Sequence, residues 1–185
     1  MFLQNECYKI DIQVDSAYTI GSSDNKRYEV ILNPNNFISG DFYKTYSISV
    51  ESRTGLLRLA LVGDYYICEE DCAVLEGNIL TILLNNMVAQ IDVETAAIIT
   101  SVIIDDLGVN FGIYSTDYGY IVHGEINIQM LDRDLHTKWI FSGKDIFVSV
   151  TDKTPFELCD DRIKLYDFED NYYEIDYNGN LITTS

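Results

Sequence analysis

The sequence predicts an all-β protein of antiparallel meanders in units of about 40 residues, with very little helix. Period-two alternation of apolar and polar residues recurs along the 185-residue chain, while helical periodicity is scarce. The breaks between apolar runs are short and rich in Asn, Asp and Gly, which accept the positive φ that tight hairpin turns demand. One pattern also returns three times: an apolar strand runs into an aspartate and a polar turn, then leaves on a second apolar strand. The copies are MVAQIDVETAAII (87–99), INIQMLDRDLHTKWIF (126–141) and YYEIDYNGNLI (172–182), and their aspartates Asp92, Asp132 and Asp176 stand 40 and 44 residues apart. That interval suits a four-stranded unit better than a single hairpin.

Taken in order, Tyr8, Ile10, Ile12 and Val14 share one face against Lys9, Asp11, Gln13 and Asp15, the pattern of a half-buried antiparallel strand. GSSDNKR (21–27) turns the chain into YEVIL. NPNN (33–36) is a turn, because Pro34 fixes φ and the asparagines tolerate turn geometry. KTYSISVES then sets Tyr46, Ile48 and Val50 against polar neighbours, and Arg53-Thr54-Gly55 closes a hairpin into LLRLALVG. From about Asp64 the runs shorten to YYICEED, AVLEGN, ILTILLNN, MVAQID, AAIITSVII, FGIYST, YGYIVHGE, INIQMLD, KWIFSG and DIFVSV. Glu76-Gly77-Asn78, Asn85-Asn86, Asp117-Tyr118-Gly119 and Asn178-Gly179-Asn180 are hairpin turns by composition. Only PNNFISGDF (34–42) and PFELCDD (155–161) are expected to form a helical turn each.

At the three aligned turns, Ile91-Asp92, Leu131-Asp132 and Ile175-Asp176 resemble the blades of quinoprotein-like β-propellers. In that pattern a strand ending in a hydrophobic residue and Asp meets a turn with a Gly and returns on a strand that often carries Trp. Gly179 and Trp139 each match the second half once, while Ala96 and His136 stand where the Gly belongs. The resemblance spans residues 68–185 and implies propeller-like sheets, with no ligand-binding residue carried over. About three units do not close a ring of four or more blades. Either the N-terminal strands supply a further sheet, or the sheets form an open stack.

Length and a hydrophobic content of 47% suit one compact domain. No basic segment followed by an apolar one opens the chain, and no apolar run approaches the ~20 residues that span a bilayer. A soluble, cytoplasmic protein is expected. Charge divides the chain: residues 1–60 carry a net −1 and residues 61–185 a net −17. This marks a near-neutral N-terminal block of hairpins (1–60) packed on an acidic repeat region (61–185), with no linker between them. Such a surface repels nucleic acid and anionic membrane and attracts basic proteins.

Chemical motifs are sparse. Cys7, Cys68, Cys72 and Cys159 have no disulfide-like spacing and read as reduced thiols. In CEEDC, Cys68 and Cys72 could hold a metal only with ligands from elsewhere, and small buried apolar residues are the better reading. His123-Gly124-Glu125 is the best acid-base pair, since alternation puts His123 and Glu125 on one strand face if Gly124 does not bulge. The acidic clusters Glu69-Glu70-Asp71, Asp105-Asp106, Asp160-Asp161 and Asp167 with Glu169 and Asp170 lack the calcium-loop pattern and read as solvated turns. No cofactor and no metal are expected.

Asp160, Asp161, Asp167, Glu169, Asp170, Glu174 and Asp176 fall within seventeen residues, answered locally only by Arg162 and Lys164. Such a ridge can pair with Arg and Lys of a partner, with Tyr166, Tyr172, Tyr173 and Tyr177 interleaved as anchors. The expected function is a non-enzymatic interaction module docking a basic protein, for instance an immunity-type inhibitor of a toxin or nuclease. The alternatives are a propeller-like scaffold or ligand-binding domain that self-associates through β-edges, and, third, an enzyme using His123 and Glu125.

Overall fold

A computed structural model describes residues 1–104 and 108–185, so the Asp105-Asp106 cluster lies outside the described residues. The chain divides into two units, Met1–Ile104 and Asp105–Ser185. Every regular element among the described residues is a strand. No helix there is long and apolar enough to cross a membrane.

The first unit opens with β1 (Phe2–Gln4), β2 (Tyr8–Val14), β3 (Val30–Leu32), β4 (Tyr43–Ser52) and β5 (Gly55–Asp64). They form one sheet in the order β1-β2-β4-β5-β3, antiparallel except that β3 lies parallel to β5. Alternation is realised over most of these strands: Tyr8, Ile10 and Ile12 from β2 and Tyr46, Ile48 and Val50 from β4 are buried, but Val14 is only half-buried and Asp15, expected on the polar face, is buried with the Tyr28 hydroxyl donating to it at 2.5 Å. From Leu59 to Gly63, β5 is buried on both faces. Leu59 and Leu61 enter the main core, and Ala60 and Val62 pack with Tyr18 and with Ile20, Tyr28 and Phe37 of the long excursion between β2 and β4.

The meander β6 (Ala73–Glu76), β7 (Ile79–Leu83), β8 (Met87–Asp92) and β9 (Ala97–Ile103) completes this unit. Leu80, Ile82, Ala89 and Ile91 join the same core as the first sheet. Residue 60 lies inside β5, so the change of charge there coincides with no structural joint. The unit ends instead at Ile104.

The second unit holds two more meanders. β10 (Asn110–Thr116), β11 (Gly119–Gly124), β12 (Ile128–Leu131) and β13 (Thr137–Phe141) form one. β14 (Phe156–Leu158), β15 (Ile163–Tyr166), β16 (Tyr172–Ile175) and β17 (Leu181–Thr184) form the other. Ile121, Ile128 and Met130 meet Ile163, Leu165, Tyr173 and Ile175 around Phe147, with Trp139 at the margin.

Three successive four-stranded meanders therefore span residues 73–103, 110–141 and 156–184, and the N-terminal strands supply a five-stranded sheet. The three repeated motifs occupy the same place, the last hairpin of each meander. Each carries a register shift just before its aspartate, between Gln90 and Ile91, between Met130 and Leu131, and between Glu174 and Ile175. The unmatched residues are Ile99, Lys138 and Ile182, one on each returning strand. A bulge of this kind bends the edge strand and adds to its twist.

Several local expectations are corrected. Residues 34–42 form turns rather than a helical turn, because the Asn33 side chain grips Phe37 through both its amide nitrogen (2.8 Å) and its oxygen (3.0 Å). PFELCDD instead contributes β14, whose Phe156 and Leu158 turn toward the core with Glu157 outside. YYICEED and DIFVSV are irregular connections, not strands. Phe147 in the latter is nevertheless fully buried, so its apolar signal reflected core packing without ladder pairing.

Candidate functional site

The aspartates of the repeated motif are turn-builders. Asp92 accepts the backbone N–H groups of Glu94 (2.8 Å) and Thr95 (3.0 Å). Asp132 accepts those of Asp134 (2.9 Å) and His136 (2.8 Å), and Asp176 those of Asn178 (2.9 Å) and Asn180 (2.8 Å). These donors hold the Asp92 and Asp132 carboxyls below the usual carboxylate range, and at Asp176, lowered likewise, the Asn180 side-chain amide (3.0 Å) leads and the backbone donors add to it. Each turn needs one residue at positive φ, and it is Ala96 (55°), Leu135 (66°) and Gly179 (81°). In the second copy that residue is Leu135 and not His136.

Asp167, between β15 and β16, builds a fourth turn of the same kind. It accepts N–H from Glu169 (3.1 Å) and Asn171 (2.9 Å), with Asp170 at a φ of 65°. Unlike the others it is fully buried, and the Tyr173 hydroxyl donates to it at 2.7 Å. Burial pushes this carboxyl up, but the hydrogen bonds from Tyr173 and Asn171 outweigh it and the net shift is downward.

This corrects the acidic ridge in two ways. Asp167 and Tyr173 are core residues and offer a partner nothing. Strand reversal also splits the rest. Asp160 and Asp161 lie in the β14–β15 turn, while Glu169 and Asp170 lie in the turn at the other end of β15. Four residues of strand, roughly 13 Å, separate the two ends. Both are partly neutralised: Arg162 forks onto Asp161 (2.9 and 3.0 Å) and reaches Glu174 (3.0 Å), and Lys153 pairs with Asp170 (3.5 Å). The Arg162 fork draws the Asp161 carboxyl downward. Tyr172 is half-buried with its hydroxyl on Glu174. Asp160 and Glu169 remain exposed.

His123 and Glu125 do not form an acid-base pair. His123 is buried, stacked on Phe156 at 4.6 Å, and its Nε2 proton points to the Phe147 carbonyl at 3.3 Å. Desolvation takes its pKa down to about 4. Glu125 instead accepts the Val109 N–H at 3.2 Å. Cys68 and Cys72 are not joined in a disulfide, and among the described residues the three-ligand group that comes together is elsewhere, at Asp132, Asp134 and His136. Burial pushes Cys68 up to about 11 and Cys72 upward as well. Asp132, Asp134 and His136 do bring ligand atoms within 4.8 Å of one another, but the Asp132 oxygens are already engaged in the turn.

The first unit contains an open cleft of about 640 Å³ between the β4–β5 hairpin and the β8–β9 turn, lined among others by Cys7, Arg53, Leu57 and Val93. In its wall Tyr8 donates to Glu94, and that bond pushes the tyrosine up to about 12. Sequence reasoning passed over another surface of this unit. Phe42, Tyr65 and Tyr66 expose three neighbouring rings, and exposed Glu69 and Glu70 follow in the same connection. The tyrosine pair next to an acidic run was a visible signal, hidden by reading YYICEED as a strand.

No protein family matches the chain, and no curated protein does. Solved structures do. BamB from Moraxella catarrhalis is 15% identical over 64% of this chain and 35% of its own, with a TM-score of 0.43. KlHsv2 with loop 6CD replaced by a Gly-Ser linker is 10% identical over 83% of this chain and 49% of its own, at 0.46. Hsv2 from Kluyvelomyces marxianus is 6% identical over 81% and 45%, also at 0.46. The chain thus spans between about a third and a half of the length of these structures. The all-β meander architecture stands on the strand registers of this chain.

Proposed function

We propose that the chain is a non-catalytic interaction module that docks a basic protein through its carboxylate-rich surface. The observation that carries this reading is the imbalance of charge: residues 61–104 hold seven Asp and Glu and no Lys or Arg, and residues 105–185 hold sixteen against six. A field of this sign accelerates encounter with a cationic partner and turns away nucleic acid. One concrete form is an immunity-type inhibitor that covers the nucleic-acid site of a basic toxin or nuclease with carboxylates in place of phosphates. The test is capture of partners on the tagged chain, washed through increasing salt, followed by association kinetics with the captured protein. The expected result is one basic protein at equal stoichiometry, released by moderate salt, whose association slows on Asp160→Asn and Glu169→Gln. Association indifferent to salt and to these changes would overturn the reading.

A second reading rests on β9. Its sequence AIITSVI carries no charge, among the described residues it pairs with β8 alone, and Ile99 and Ile103 are exposed. An open apolar edge of this kind can add a strand from another copy, as in a propeller-like scaffold that assembles through its edges. Salt separates the readings, because screening weakens attraction to a basic partner and strengthens association between copies of an anionic chain.

A further inference from the structure

The register of the first sheet sets Tyr43 opposite Asp64. Phe42 precedes the one and Tyr65 follows the other, so both rings leave the same end of the β4–β5 pair. Their centroids are 6.4 Å apart and edge-on, and Tyr66 adds a third ring at 5.3 Å from Tyr65. The three are 84%, 46% and 59% exposed, an apolar surface that soluble proteins rarely leave uncovered without use. Their position is held: Asp64 accepts the Tyr65 N–H at 2.6 Å and the Asn85 side chain at 2.7 Å. Lys44 already lies over the Tyr65 ring, 5.3 Å from its centroid, so one ring face accepts a cation. The same connection continues into exposed Glu69 and Glu70.

We propose that Phe42, Tyr65 and Tyr66, followed in the same connection by exposed Glu69 and Glu70, form the surface on which an arginine-rich segment of a protein partner docks. This rests on the reading of a basic partner and gives it an address. Arginine fits better than lysine, because a planar guanidinium stacks on aromatic rings and forks onto carboxylates, whereas an ammonium is a hydrated point charge. Nucleic acid and anionic membranes are repelled by the net charge of −18.

The test titrates fluorescein-labelled nona-arginine and nona-lysine peptides into the full chain at low salt and reads anisotropy. The wild type should bind nona-arginine more tightly than nona-lysine. The charge-neutral double change Tyr65→Leu with Tyr66→Leu, and separately Phe42→Ser, should weaken nona-arginine about five-fold or more and leave nona-lysine nearly unchanged. Asp160→Asn with Glu169→Gln, in the other unit, should leave the arginine preference intact. Circular dichroism confirms that each variant is folded, and Phe42→Ser keeps the test valid if the tyrosine pair is not. Nona-arginine binding that survives both aromatic changes would overturn this docking surface while leaving a basic partner in place. A wild type that binds neither peptide would overturn both.

Discussion

Trp139, on the last strand of one meander, covers Gly179 in the closing turn of the next: a Cβ on Gly179 would stand 2.7 Å from the indole Cδ2 and 2.8 Å from Cγ. The indole Nε1 donates to the Tyr177 carbonyl of the same turn at 3.0 Å. Glycine is therefore required twice over, by the ring and by a φ of 81°. Gly179→Ala should cost about 1 kcal/mol for the left-handed backbone and about 1–3 kcal/mol for overlap with the ring. Urea denaturation should show the sum, and a loss below about 0.5 kcal/mol would mean that the indole moves aside freely. Trp139 itself is only half-buried, so Trp139→Ala should cost about 2–3 kcal/mol, less than a fully buried tryptophan.

Asp167 should be the most costly aspartate to alter. Its oxygens accept from two backbone N–H groups, from the Asn171 amide and from Tyr173, all out of water. Asp167→Asn keeps the shape but turns one acceptor into a donor facing Asn171, a loss of about 1–3 kcal/mol. The folded carboxyl lies below its ordinary value, so its stabilisation is present above the unfolded pKa of about 4 and disappears as pH falls through the folded one. The gap in denaturation midpoint between wild type and Asp167→Asn should be smaller near pH 3 than at neutral pH. A gap of constant size at both pH values would show that the charge contributes nothing.

The meanders were legible because their signals are local: an aspartate, a turn and alternating side chains lie within a dozen residues, and Asp92, Asp132 and Asp176 do what Asx chemistry dictates. Trp139 and Gly179 were each visible as half of a motif, but only the fold shows that the halves meet. The acidic ridge misled for the same reason in reverse. Residues close in sequence were read as close in space, yet β15 carries Asp161 and Glu169 to opposite ends. Asp167 could not be told from its exposed neighbours, because its burial depends on Tyr173, six residues on and across the next turn. The parallel pairing of β3 with β5 is set by packing over the sheet, and alternation alone cannot distinguish it from an antiparallel partner.

His123 should remain neutral well below the ordinary histidine range. Its folded pKa of about 4 lies under an unfolded value near 6.5, so the unfolded chain takes up a proton first and stability falls as pH drops from about 6.5 to 4. The slope contributed is at most about 1.4 kcal/mol per pH unit. His123→Phe, which keeps a ring against Phe156 and gives up one hydrogen bond, should flatten that window at a cost near neutral pH of about 1 kcal/mol. Proton NMR of the imidazole gives the direct check: a midpoint near 6.5 would mean that the ring reaches water, and would restore His123 as a candidate acid or base.

β9 offers the last prediction, because an apolar strand with one free edge pairs with whatever strand arrives. Ile103 is 59% exposed, so Ile103→Lys should alter stability by no more than about 0.5 kcal/mol while placing a charge where a second copy would lie. The net charge of −18 opposes such pairing at low salt, and screening removes that opposition. Sedimentation velocity of the wild type should therefore show larger species as protein and salt concentrations rise together, with Ile103→Lys remaining monomeric throughout. If the wild type is equally monomeric at every concentration and salt, the bulge at Ile99 and the twist it adds already protect the edge, and self-assembly through β9 is ruled out.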